Sequence, residues 1–344
     1  MTKNCNYIYG FIKTTKRENI GSIGIEGAEV YTFPYGDISA VVSDSPPLHF
    51  NSYSKETLLR NLAIYQTVME EVMKSYSIIP MKFGTMAESE EYLKKILEKG
   101  YERIKTGLEA IDNKIELNIV VTWSNFDTVL KEIGEVEEVR KYKEEALQTS
   151  SRHLHQARIE IGKMMKAVLD KEKEQYVSAI TDILKEEAEN HCLHATMDDS
   201  MILNAAFLIR KDKEDTFEAK VNQLNRKNKG RIHFRMIGPL PPYSFCTLQL
   251  KKMQFSEINE ARKILSLSEE VSTFEINTAY KKMSKTYHPD KYPGDGEAQK
   301  RFEKISKAYN IVKEYCQDDT CFFREADIEE WISVSQLEQH GTPA

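Results

Sequence analysis

The pattern of hydrophobic and polar residues first predicts a group of short strands. Residues 7–13 (YIYGFIK), 29–33 and 38–43 (ISAVVS) are rich in aromatic or β-branched side chains, as strands are. Between the last two, Pro34-Tyr35-Gly36-Asp37 has the residues of a tight turn, so we expect a hairpin there. Residues 78–85 (IIPMKFGT) are apolar but contain proline and glycine, which predicts an irregular or edge segment.

Two longer segments repeat their apolar residues every three or four positions, as amphipathic helices do. We expect helices over residues 55–76, with Ser54 as the N-cap, and over 90–110, with Ser89 as the N-cap. The apolar run 114–123 (KIELNIVVTW) then predicts a buried strand. This first part of the chain therefore has the order β-β-β-α-α-β, which is typical of an α+β domain.

The middle of the chain alternates helical and strand-like patterns. Helices are expected over residues 125–143 and 216–227, one long or two broken helices over 148–189, and strands over 205–210 (AAFLIR) and 231–237 (RIHFRMI). The proline-rich run 238–243 (GPLPPY) must be a rigid loop, and residues 244–250 can add a strand before a boundary near Met253. This order indicates a second α+β unit of the ferredoxin-like, split βαβ type.

Residues 256–317 differ in kind, because their pattern predicts three helices and almost no strand. The first helix covers about 257–265. The second begins with a capping box, Ser272-Thr273-Phe274-Glu275, and ends near Tyr287. The third covers about 297–315, and with the second it forms an antiparallel hairpin with a small core.

The second of these helices has one apolar face and one cationic face. The apolar residues recur at spacings of four, three and four, and they are Ile276, Tyr280, Met283 and Tyr287. Lys281, Lys282 and Lys285 fall on the opposite side. Pro289 cannot continue the helix and biases His288 away from the helical conformation, so the cationic face ends at a loop.

The run AYKKMSKTYHPDKYPGDGEAQKRFEKISKAYNIV resembles the J domain of the DnaJ (Hsp40) family. The resemblance rests on a His-Pro-Asp tripeptide after a basic amphipathic helix, followed by a lysine and an F-x-x-I-x-x-A-Y helix. It implies that the basic face and the loop bind an Hsp70 and stimulate its ATPase. The Hsp70-binding residues so implied are Lys281, Lys282, Lys285, His288, Pro289, Asp290 and Lys291.

Each of these residues has an expected role under the resemblance. The lysines would steer the encounter electrostatically, Asp290 would pair with a cation of the partner, and His288 and Pro289 would shape the loop. This chain also departs from the family pattern. It has Ala261, Arg262 and Ser266 where aromatic residues and a glycine are usual, and an acidic, turn-like stretch at 318–320 where a fourth helix often lies.

Residues 7–250 carry a second resemblance, to the gas vesicle protein F/L family. Six segments occur in the family's order: YIYGFI, GDISAVVS, IIPMKFGT, IELNIVVTW, NAAFLIR and GPLPPYSF. Leu240 stands where a tryptophan is expected. The resemblance implies two α+β domains, the second ferredoxin-like, and a role in building gas-filled vesicles through contact with a small, very hydrophobic shell subunit. Such a subunit is prone to aggregate and needs shielding before assembly.

We expect structural roles, not a binding site, for the residues of these segments that fix backbone turns or fill cores. They are Pro80, Phe83, Gly84, Gly238, Pro239, Pro242, Tyr243 and Phe245.

The predicted fold class is α+β, with two α+β domains, the second ferredoxin-like, followed by an all-α J-domain helical hairpin. The expected divisions are residues 1–125, 126–252 with long helices, 253–317 for the J domain, and a C-terminal tail over 318–344.

The composition limits the classes of partner that we expect for this chain. A formal net charge of -6 argues against nucleic acid as a partner, and no run of about 18 apolar residues predicts a membrane span. The five cysteines are irregularly spaced and follow no secretory signal, which predicts reduced thiols in a cytoplasmic protein. Cys316 and Cys321 are expected to be incidental thiols of the tail.

We find no motif for catalysis, for a cofactor or for phosphate binding, so we predict no enzyme, no cofactor and no metal. His191, Cys192 and His194 are the only ligand-rich cluster, and we interpret them as ordinary residues at a helix end rather than as a metal site.

Two functions remain open. In the first, the chain is a gas vesicle assembly accessory protein and J-domain co-chaperone adaptor, which holds gas vesicle shell protein and recruits a DnaK-like Hsp70. In the second, it is a minor structural component of the vesicle with a vestigial J-like domain. Both place the protein in the cytoplasm, associated with gas vesicles and other gas vesicle proteins.

Overall fold

The structure is a computed structural model that describes residues 5–48, 53–147, 154–252, 254–288, 296–316, 319–325 and 332–336. Its first sheet is built from six strands: β1 (Cys5–Ile12), β2 (Asn19–Gly21), β3 (Val30–Tyr35), β4 (Ile38–Ser45), β5 (Ile78–Pro80) and β6 (Met86–Ala87). Their order is β2-β3-β4-β1-β5, and β6 also pairs with β1. The predicted hairpin is confirmed, because Tyr35 pairs with Ile38 across Gly36, whose φ is 61°.

Two helices cover the two faces of this sheet. Helix α1 (Lys55–Met73) packs on Tyr7 and Tyr9 of β1, whereas α2 (Glu90–Ala110) packs on the other face, against Ile8 and Phe11. Both predicted N-caps are confirmed, since the side chains of Ser54 and Ser89 accept hydrogen bonds from the backbone N–H of Thr57 and Tyr92. We call residues 5–112 the first unit.

The second sheet is antiparallel and has the order β10-β7-β9-β8. Its strands are β7 (Lys114–Trp123), β8 (Asn190–Leu193), β9 (Met201–Arg210) and β10 (Ile232–Leu240), and its helices are α3 (Phe126–Gly134), α4 (Glu137–Leu147), α5 (Leu154–Leu184) and α6 (Glu214–Lys227). Helices α3, α5 and α6 pack on one face, where Leu117, Phe207 and Phe217 are fully buried. We call residues 113–252 the second unit.

Two sequence predictions are wrong here. The strand over 114–123 exists, but it pairs with β9 and β10 in the second sheet and does not complete the first unit. We therefore place the boundary between the units before β7 and not at residue 125. Residues 190–193 form the edge strand β8, so His191 and Cys192 do not lie at a helix end. Both errors concern strand partners far away in sequence.

The chain then passes through a short helix, α7 (Tyr243–Cys246), and strand β11 (Leu248–Lys252) into a compact C-terminal unit, residues 254–323. The three predicted helices are confirmed as α8 (Phe255–Ile264), α9 (Thr273–Tyr287) and α10 (Gly296–Tyr315). The capping box is present in full, with Ser272 and Glu275 each bonding the other's backbone N–H. Ile258, Ile276, Ile305 and Val312 form the centre of the core.

The expected plain tail after residue 317 instead contains two strands. β13 (Thr320–Phe322) pairs with β12 (Glu270–Ser272), and β14 (Ile332–Gln336) returns to pair with β11. The pairing of β13 brings Cys321 back to the end of α10, where it forms a disulfide with Cys316, with 5.6 Å between the Cα atoms. The prediction of reduced thiols is therefore wrong for these two cysteines.

Within the described residues, no helix has both the length and the apolar composition needed to cross a membrane.

Candidate functional site

The cationic face of α9 is the first feature of functional interest. Lys281, Lys282 and Lys285 are exposed, whereas Ile276 on the opposite side is only 3% exposed. The two-faced helix predicted from residue spacing is therefore present. A row of exposed ammonium groups can attract an acidic surface over several ångströms and needs no rearrangement to do so.

Helix α10 supports α9 through aromatic contacts. The rings of Tyr280 and Tyr309 are stacked with 4.0 Å between centroids, and the Tyr309 hydroxyl donates to Asn277 Oδ1 at 2.7 Å. These contacts fix the roll of α9 about its axis, so they determine which way the lysines point.

His288 stands where α9 ends. Its backbone is extended (φ -61°, ψ 132°), which stops the helix, and its imidazole meets the ring of Phe302 edge-on at 5.5 Å. The structure thus places the three lysines on one exposed face that leads directly to His288. Pro289, Asp290 and Lys291, the other predicted Hsp70-binding residues, lie outside the described residues.

Two residues near α8 that depart from the family pattern, Arg262 and Ser266, fit the turn through local contacts and backbone conformation. Ser266 adopts φ 55°, the left-handed conformation that favours glycine. The guanidinium of Arg262 donates to the carbonyl of Leu267 at 2.9 Å and to Asn259 Oδ1 at 3.0 Å, which braces the turn. The turn after α8 is therefore built without the glycine usual in the family.

The first unit has an aromatic cluster beneath the IIPMKFGT segment. The Tyr65 hydroxyl donates to the carbonyl of Met81 at 2.6 Å, and the N–H of Gly84 donates to the Tyr7 hydroxyl at 2.9 Å. Burial raises the pKa of Tyr7 and of Tyr65, so both hydroxyls stay protonated. Phe83 packs edge-on against Tyr65. These contacts are structural and present no reactive group.

A buried polar network, which sequence reasoning missed, joins β7 to the short helix α7. Glu116 is 1% exposed, and its carboxylate accepts the Ser244 N–H at 2.7 Å and the Ser244 hydroxyl at 2.8 Å. Burial raises the pKa of Glu116, although both bonds from Ser244 oppose this. The one signal in the sequence was a glutamate within the apolar run IELNIVV.

Serine, histidine and glutamate occur together here, but the order in which they are hydrogen-bonded does not suit nucleophilic catalysis. His194 Nε2 lies 3.1 Å from Ser244 Oγ. In a catalytic triad the histidine accepts the serine proton and the acid orients the histidine. Here the serine hydroxyl donates to Glu116, so His194 must donate to the serine, and the network holds α7 in place.

The segment from Gly238 to Tyr243, predicted to be a rigid loop, instead forms the end of β10 and the start of α7, and it connects the two units. Gly238 has φ 146°, and a Cβ there would lie 2.6 Å from Leu117 Cδ2 and 2.9 Å from the Glu116 carbonyl oxygen. Tyr243 donates from its hydroxyl to Gln66 Oε1 on α1 at 2.8 Å. The GPLPPYSF segment therefore ties the second unit to the first.

A cleft of about 620 Å³ lies beside this junction, between α2, the start of β8 and α7. Gly107, Phe245, Cys246 and Leu248 are among its lining residues. Burial raises the pKa of Cys246 to about 11, so its sulfur is a thiol at neutral pH and not a nucleophilic thiolate.

The side chains of His191, Cys192 and His194, the ligand-rich cluster of the sequence, have separate partners. His191 stacks on Phe207, His194 bonds Ser244, and burial raises the pKa of the Cys192 thiol. No group of three or more histidine, cysteine or acidic side chains suited to a metal ion occurs in the part of the chain that the structure describes.

Comparison with known proteins identifies the two parts of the chain. The family model described as gas vesicle synthesis protein GvpL/GvpF matches residues 5–247, and the DnaJ domain model matches residues 262–316. Gas vesicle protein F of Streptomyces sp. is 24% identical over 70% of this chain and 98% of that protein. The chaperone protein DnaJ of Chlamydia felis is 47% identical over 15% of this chain and 13% of that protein.

Solved structures show the same fold. The crystal structure of GvpF from Anabaena sp. has a TM-score of 0.60 and 21% identity, and covers 70% of this chain and 98% of that chain. GvpF from Microcystis aeruginosa has a TM-score of 0.58 and 22% identity, over 71% of this chain and 99% of that chain. The predicted fold class, two α+β domains followed by a J-domain helical hairpin, is confirmed.

Proposed function

We propose that this chain, which belongs to the GvpL/GvpF family of gas vesicle synthesis proteins and carries a DnaJ domain, is a co-chaperone adaptor for gas vesicle assembly. Its gas vesicle region, residues 5–252, holds gas vesicle shell protein. Its J domain recruits a DnaK-like Hsp70 to that client.

The observation that carries the proposal is the exposed lysine face of α9 leading to His288, in one chain with the gas vesicle region. Lys281, Lys282 and Lys285 are all exposed, and no ion pair to them appears among the described residues. Charges in this state steer a partner of opposite sign rather than stabilise the fold. A face retained only for packing does not require three lysines on its outer side.

Single-turnover ATP hydrolysis by a DnaK-type Hsp70 tests the proposal. The wild-type chain should accelerate hydrolysis, and Asp290→Asn should not. Asp319→Asn removes an equal charge from an exposed position outside the lysine face, so it should act like wild type. Equal acceleration by wild type and Asp290→Asn would show that the J domain does not act through its loop.

A minor structural component with a vestigial J-like domain remains the second candidate. The observation in its favour is β13, which pairs with β12 in the place where a fourth helix often follows. Buoyancy of cells separates the candidates, since Asp290→Asn cells should float normally if the J domain is a passenger and should fail to float if it recruits Hsp70. The point variant is preferable to truncation at Leu250, because truncation also removes β14 from the first unit.

A further inference from the structure

The chain returns to the gas vesicle region after the J domain. Strand β14 lies antiparallel to β11, so that Val334 pairs with Leu250 and Ile332 pairs with Lys252. Val334 is 4% exposed and belongs to the first unit's core, together with Leu97. The family match ends at residue 247. The strand pair therefore belongs to the part of the chain that is added to the family region.

Helix α2 is shaped to receive this strand. A Cβ on Gly100 would lie 2.6 Å from Cγ2 of Val334, so a larger residue at that position would expel the valine. Arg103 Nη1 donates to the carbonyl oxygen of Val334 at 3.1 Å. We call the edge of β11, Gly100 and Arg103 together the β11–α2 seat. It recognises an extended backbone that carries a β-branched side chain.

The seated strand is held by its pairing with β11, by the bond from Arg103 and by the burial of Val334. Of its two described side chains, Val334 is buried, whereas Ser335 is half-buried. The seat itself depends on other contacts, because β11 is held to the first unit by a bridge between Leu248 and Met81 and by the Lys82 N–H, which donates to the Leu248 carbonyl at 2.7 Å. Because the seat keeps these contacts without β14, the short strand can detach while the surrounding core stays folded.

We propose that the β11–α2 seat is a strand-accepting peptide site, closed in this chain by its own β14. When β14 detaches, the seat takes in trans an extended peptide with a β-branched residue at the position of Val334. Backbone pairing with β11 supplies affinity, and the pocket over Gly100 supplies selectivity, as in other cases of strand addition. The site does not depend on Hsp70, so it goes beyond the proposed function.

The probe is a fluorescent peptide with the sequence of residues 330–338, added to the full chain. Val334→Asp places a charge in the apolar pocket, detaches β14 and leaves the seat intact. This variant should bind the peptide at least about tenfold more tightly than wild type, because the covalently attached strand competes at high effective concentration. Ser335→Asp adds the same charge to the half-buried neighbouring residue and should bind like wild type.

A substitution in the seat distinguishes specific binding of the peptide from binding to apolar surface that is merely exposed. Gly100→Ala favours the helix, yet added to Val334→Asp it should abolish peptide binding. Val334→Thr keeps the shape of the side chain and perturbs folding less, so this variant should bind the peptide with intermediate affinity. Equal peptide affinity of wild type and Val334→Asp, or full binding by the Gly100→Ala double variant, would overturn the proposal.

Discussion

The J domain and the gas vesicle region place their charged groups in opposite ways. In the J domain, Lys281, Lys282 and Lys285 point into solvent and the core beneath them is apolar and aromatic. In the gas vesicle region, Glu116 is buried and bonded to Ser244. An exposed charge costs the fold little and is available to a partner, whereas a buried one must be satisfied within the protein. Function is thus expected at the first set and stability at the second.

The largest effect that tests this contrast is expected from Glu116→Ala. The change leaves the N–H and hydroxyl of Ser244 without their acceptor in a buried site, which should cost about 2–4 kcal/mol in the free energy of unfolding. Urea denaturation of the full chain, followed by circular dichroism, measures the loss. Glu218→Ala, at an exposed position on α6, should change stability by less than about 0.5 kcal/mol. Similar losses in both variants would remove the distinction between buried and exposed charge.

Glu116→Gln sharpens the same test through pH. Burial raises the pKa of Glu116 in the folded state, so the folded chain binds a proton more tightly than the unfolded chain does. Its contribution to stability is full below the unfolded pKa, about 4.3, and is lost as pH rises through the folded pKa. The difference in unfolding free energy between wild type and Glu116→Gln should therefore shift against wild type as pH rises. A constant difference would contradict the raised pKa.

A smaller effect is expected from reversing the lysine face. Lys281→Glu with Lys285→Glu should slow association with Hsp70 about tenfold at low salt, with a smaller difference at 0.15 M salt, because exposed charges act mainly on the rate of encounter. Stopped-flow measurements across a salt series give the rates. Lys94→Glu with Lys99→Glu makes the same change in net charge on exposed positions of α2 and should leave association unchanged. Equal slowing in both double variants would mean that the net charge of the chain, and not the lysine face of α9, controls the rate of encounter.

The smallest effect concerns the turn after α8. Ser266 pays a conformational penalty at φ 55° that glycine does not, so Ser266→Gly should stabilise the J domain by about 1 kcal/mol. Thermal unfolding monitors the gain. Ser268→Gly, two residues later and outside the left-handed conformation, should give no gain. Stabilisation by Ser268→Gly alone would assign the effect to chain flexibility instead.

Local rules predicted the parts of the fold that depend on neighbours in sequence. Ser54, Ser89 and the Ser272–Glu275 capping box mark helix starts by bonds that span three residues. The lysine face follows from helical geometry in the same way. The basic helix, the His-Pro-Asp tripeptide and the F-x-x-I-x-x-A-Y helix also lie close together in sequence, so the J domain was recognisable. Pro289 and Asp290 themselves lie outside the described residues.

Strand partners and buried polar networks could not be predicted in this way. β7 is a strand by its own pattern, but nothing in its sequence chooses β9 and β10 as neighbours over β1. Ser244 and Glu116 are separated by 128 residues. For β14 a signal did exist, since Ile332-Ser333-Val334-Ser335 alternates apolar and polar residues as strands do. Its partner β11, however, lies beyond the whole J domain.

The position of β14 also sets the order in which the protein can be completed during synthesis. Arg103 and Val334 are separated by 231 residues. At about 5–20 residues per second, the ribosome adds Val334 roughly 10–50 s after α2 has been made. Until then the pocket over Gly100 has no valine to fill it, while the J domain is made before β14 arrives. The first unit of a newly made chain therefore acquires the Val334 side chain of its core only after the J domain has been translated.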